Sequence, residues 1–128
     1  MTTILVADDE PAILELVRFT LEDNEVRVIT AVDGDAALAL ARALRPDLAL
    51  LDVQMPRLNG LEVCRRLRQS PDGIAMRIVM LSAAGQAADR ARGFAAGADE
   101  YLTKPFSPLA LLTLVRALLP EAPVWPER

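Results

Sequence analysis

Short apolar runs alternate five times with stretches whose apolar positions recur at helical spacing. Thr3–Asp8 is apolar until its closing acid, as in a strand buried on both faces. Pro11 then opens a helix, followed at helical intervals by Ile13, Leu14, Val17 and Leu21. Glu25–Thr30 alternates at its start, which suits an edge strand, and Asp33 offers an N-cap for a helix over Ala36–Leu44. Asp47–Asp52 is a second buried run ending in acid, and Leu61, Val63 and Leu67 mark a third helix. Met76–Ser82 is a buried strand ending in a hydroxyl. The alanine-rich helix Ala87–Ala96 stops at Gly97. Asp99–Thr103 reads as a short strand, and a last helix runs from an N-cap at Ser107 to Leu119.

Five β-α units in strict alternation imply an α/β fold, a five-stranded parallel sheet with helices on both faces. The expected domain spans residues 1–119, and 120–128 reads as a proline-rich tail or linker stump. The glycine fingerprints of dinucleotide and P-loop sites are absent, so nucleotide binding has no support.

Composition narrows the chemistry. With 128 residues, 52% hydrophobic and 25% charged, the chain suits one globular domain. Its net charge of −4 makes no electrostatic case for nucleic-acid or membrane-surface binding. No signal peptide or membrane span is expected, which points to the cytoplasm. The single cysteine, Cys64, rules out an internal disulfide. The absence of histidine excludes histidine-based nucleophile systems and histidine-ligated metals. Of 14 cationic residues only Lys104 is lysine, an exception in an arginine-using chain.

The chemistry-bearing residues fall at strand ends: Asp8-Asp9, Asp52, Ser82 and Lys104. Parallel α/β sheets bind ligands outside the carboxyl ends of their strands, where the winding reverses. Carboxylates converging there repel one another unless a cation compensates, and Mg2+ prefers such oxygen donors. Lys104 adds a mobile point charge and Ser82 a donor, a set suited to a phosphoryl group in transfer. Taken singly, each of these residues is ordinary: Asp-Asp a solvated cap, Ser82 a polar strand end, Lys104 a surface charge.

The segments Ile4–Pro11, Leu51–Pro56 with Asn59-Gly60, Met80–Ala83 and Gly97–Phe106 closely resemble the response-regulator receiver family, across residues 3–119. The resemblance implies a flavodoxin-like (βα)5 fold with strand order 2-1-3-4-5. It implies a phosphoacceptor at Asp52, with Mg2+ bound by Asp8, Asp9, Asp52 and the backbone carbonyl of Gln54. Lys104 would contact the phosphoryl group, and the Lys104–Pro105 peptide would be cis. Ser82 and Tyr101 match the family's switch pair, through which phosphorylation remodels the face made by the fourth helix, fifth strand and fifth helix. Gln54 and Ala84 occupy positions that influence phosphate lifetime. The protein is then not an enzyme but a phosphoacceptor with self-catalysed phosphotransfer and autodephosphorylation. Its donor is a histidine kinase or phosphotransfer protein, because the chain has no histidine of its own.

The last helix departs from the family, since Arg116 is its only charge. Leu111, Leu112, Val115 and Leu118 make a core-facing stripe, which leaves Leu109 and Leu114 as an outer apolar surface for a downstream protein or a homodimer. One alternative is that the chain is the input half of a longer regulator with a DNA-binding or enzymatic output domain. Another is a Mg2+-dependent phosphohydrolase, which the lack of a substrate-pocket motif argues against.

Overall fold

The computed structural model describes residues 1–71, 75–83 and 87–121 of the chain, and every expected strand and helix forms. The strands are β1 (Thr2–Ala7), β2 (Val26–Ala31), β3 (Leu48–Asp52), β4 (Arg77–Ala83) and β5 (Glu100–Lys104). The helices are α1 (Pro11–Leu21), α2 (Gly34–Leu44), α3 (Gly60–Gln69), α4 (Ala87–Ala96) and α5 (Pro108–Leu118). All strands pair in parallel in the order β2-β1-β3-β4-β5, so winding reverses between β1 and β3.

Two apolar layers flank the sheet. Leu5, Ala49, Leu51, Ile78 and Met80 face α2, α3 and α4, while Ile4, Val6, Leu50, Val79 and Leu81 face α1 and α5. The central strands are thus buried on both sides, which is why they read as continuous apolar runs. Each fully buried Leu or Ile contributes about 1.5–3 kcal/mol over leaving it exposed.

Helix starts follow their caps. Asp33, Asn59 and Ser107 accept from the amides of Ala36, Glu62 and Ala110 at 2.8, 2.9 and 3.0 Å. Strand ends shift slightly from expectation, with acidic residues at the boundaries of β3 and β5. Asp47 falls just before β3, and its carboxylate accepts from the Thr3 amide at 2.8 Å. At the end of α4, Gly97 has φ +109°, and a Cβ there would lie 2.6 Å from Arg68 Cγ. Arg68 clamps this corner by donating to the Gly97 and Met76 carbonyls at 2.8 and 2.6 Å and to Asp99 at 2.7 Å.

Most of the expected proline-rich tail, residues 122–128, lies outside the described residues, as does Ala84.

Candidate functional site

Strand register decides which polar residues meet. Ala7 pairs with Leu51, Asp52 with Leu81, and Ala83 with Lys104, so Asp8, Asp52 and Lys104 emerge together at the carboxyl edge. Gly60 sets how closely the next helix approaches. A Cβ there would stand 2.0 Å from the Asp52 carbonyl oxygen, so only glycine lets α3 begin against the acidic strand end.

Lys104 is the hub. Its Nζ donates to Asp8 Oδ2 at 3.1 Å and Glu10 Oε1 at 3.0 Å, and lies 3.4 Å from Asp52 Oδ1. Asp8 and Asp52 are buried, whereas Asp9 and Glu10 are exposed. One ammonium therefore faces three carboxylates, those of Asp8, Glu10 and Asp52. Burial first, and the Asp8 charge second, push the Asp52 carboxyl up to about 6, against the opposing pull of Lys104 and the Gln54 amide. Burial also works against the charge on Lys104, but its bonds to Glu10 and Asp8 and the charge on Asp52 outweigh it, so its pKa rises. The Gln54 amide donates to Asp52 Oδ1 at 3.3 Å, and the Lys104–Pro105 peptide is cis.

The donor set suits a hard divalent cation. Carboxylate oxygens of Asp8, Asp9 and Glu10 all lie within 4.8 Å of one another, and the local charge is negative even with Lys104 present. Glu10 was not singled out from the sequence. It is the N-cap of α1 but makes no side-chain capping bond, which leaves its carboxylate to turn toward Lys104. Its place directly after Asp8-Asp9 was the available signal.

The Ser82 hydroxyl, at the end of β4, is buried and without a hydrogen-bond partner among the described residues. Ser82 pairs with Thr103 and Met80 with Tyr101, so Ser82, Thr103 and Tyr101 share one sheet face. The hydroxyls of Ser82 and then Thr103 hold the Tyr101 phenol below its usual range.

On α5, Leu111, Leu112 and Val115 are buried as expected, and Leu118 is half-buried. Leu109 is 68% exposed. Leu114 is not fully outside as expected: it is half-buried and packs on the α1–α5 core layer. Both line an open apolar groove of about 620 Å³ with Tyr101, Leu102 and Ala110. Among the described residues, no helix is long and apolar enough to cross a membrane.

The response regulator receiver domain model matches residues 4–116. The chain is 47% identical over 119 residues to the DNA-binding dual master transcriptional regulator RpaA of Synechocystis, covering 93% of this chain and 49% of that protein. It is 46% identical over 116 residues to the alkaline phosphatase synthesis transcriptional regulatory protein PhoP of Bacillus subtilis, covering 91% and 48%. The chain thus spans about half the length of these curated relatives. The structure of the chemotaxis response regulator CheY4 of Vibrio cholerae matches with a TM-score of 0.86 at 35% identity, over 93% of this chain and 99% of that one.

Proposed function

This chain belongs to the response-regulator receiver domain family of two-component signalling, and on that footing we propose that it is a switch thrown by phosphorylation of Asp52. The observation that carries the reading is Lys104 bridging Asp8 and Asp52 at the point where the sheet's winding reverses. A carboxylate oxygen of Asp52 attacks phosphorus. The bond from phosphorus to the donor's leaving atom breaks, its electron pair departs with that atom, and an aspartyl phosphate results. The donor is a phosphohistidine on a kinase or phosphotransfer protein, or a small acyl phosphate such as acetyl phosphate, which leaves as acetate.

Lys104 meets the charge that grows on the transferring oxygens, and the Gln54 amide orients the attacking carboxylate. Asp8, Asp9 and Asp52, with the Gln54 carbonyl, would hold Mg2+, which neutralises phosphoryl charge when bound. The buried Ser82 hydroxyl turns to the new phosphoryl group and Tyr101 follows it, remodelling the face of α4, β5 and α5. That face, with Leu109 and Leu114, controls the binding of a downstream protein or a second copy. The domain catalyses its own phosphotransfer and autodephosphorylation rather than the turnover of an external substrate.

A second reading concerns length. Covering about half of two transcriptional regulators supports the chain being the input part of a longer protein. The chain also covers 99% of a chemotaxis regulator, so the proteins it resembles include both longer regulators and a chain of this size. The phosphorylation chemistry is the same in both.

The test is intact-mass measurement after exposure to acetyl phosphate, with and without Mg2+. A phosphoryl adduct is expected in the parent with Mg2+ and none in Asp52→Asn; an adduct persisting in Asp52→Asn overturns the assignment.

A further inference from the structure

The Arg90 guanidinium on α4 lies 5.7 Å from the centroid of the Tyr101 ring and 5.9 Å from that of Phe94, one helical turn along. Its neighbour Asp89 is buried and paired with Arg92. Tyr101 remains partly exposed, and the Ser82 hydroxyl on the same sheet face is buried, with no hydrogen-bond partner among the described residues. The Tyr101 phenol thus feels the Ser82 and Thr103 hydroxyls of its own sheet face, while the Arg90 cation lies over its ring.

We propose that Arg90 is a positioning residue that holds Tyr101 in its partly exposed place and so sets how readily the switch is thrown. The inference rests on reading Ser82 and Tyr101 as the switch pair. The charged groups around Tyr101 are Asp89 and Arg90 from α4 and Glu100 on its own strand, whose carboxylate accepts the Tyr101 amide at 3.1 Å. Arg90 favours the ionised phenol and Asp89 opposes it, so replacing Arg90 has a defined direction. Phosphorylation that moves Tyr101 along with Ser82 changes the ring's place under Arg90, and the cation–ring contact therefore opposes the change.

Tyr101 is the only tyrosine, so phenolate absorbance reports it alone. Arg90→Met keeps an apolar stem without the charge, and Arg90→Lys keeps charge without the planar face. In the full chain, Arg90→Met is expected to move the phenol back up toward its usual value. It is also expected to speed phosphorylation by acetyl phosphate and Mg2+ about two- to fivefold, with Arg90→Lys intermediate. An unchanged or slower rate in Arg90→Met, in a background where Tyr101→Ala does change the rate, overturns the inference alone. If Tyr101→Ala leaves the rate unchanged, the switch pair itself is misassigned and the inference falls with it.

Discussion

Lys104 Nζ sits 3.4 Å from Asp52 Oδ1, with both side chains largely shielded from water at 13% and 5% exposure. The pair joins the last residue of β5 to the last residue of β3, with β4 between them. The attraction is shared, since the same ammonium also serves Asp8 and Glu10. Burial, and then the Asp8 charge, keep the Asp52 pKa raised despite its cationic neighbour.

That imbalance sets a pH dependence. An acid whose pKa rises on folding stabilises the fold below its unfolded value, here 3.8, and loses that contribution as pH climbs through about 6. Asp52→Asn, which has no charge to bury, is expected to be more stable than the parent near pH 7, by about 1–3 kcal/mol. The gain should fade toward pH 4. Denaturant titrations at the two pH values, without divalent cations, decide this, and a gain independent of pH would contradict it.

Magnesium should act through the exposed carboxylate next to the buried one. Ligand that binds only the folded state at about a hundredfold excess over Kd adds about 2.7 kcal/mol. The parent's Tm is expected to rise with Mg2+ accordingly, and Asp9→Asn to lose most of the rise. Asp9 is exposed, so its replacement leaves the cation-free stability nearly unchanged. Equal Tm shifts in both proteins would remove Asp9 from the metal site.

The two leucines of α5 should separate. Leu109→Glu is expected to leave stability within about 0.5 kcal/mol, because the side chain is 68% exposed. Leu114→Glu places a charge against the α1–α5 core layer and is expected to cost about 1–3 kcal/mol by urea denaturation. Self-association or partner binding is therefore tested cleanly only with Leu109→Glu, where loss of binding is the expected result.

Much of the fold was legible because local and global signals agree. Buried runs such as Leu48–Asp52 cannot sit in an edge strand, and caps such as Asp33 and Ser107 announce their helices within three residues. Strand boundaries were less legible, because an acid such as Asp47 bonds across to β1 through both its backbone and its side chain yet lies just outside β3.

The same division holds for the site. Sequence alone determined that carboxylates, a hydroxyl and the one lysine fall at successive strand ends, since periodicity places strands and the acids terminate their apolar runs. It did not determine that Glu10 shares Lys104, that Asp52 is raised to about 6, or that Leu114 is half-buried. Those outcomes belong to the tertiary structure. Charge sharing and desolvation depend on distances between strands far apart in the chain, and the sheet register alone brings Lys104 to Asp52.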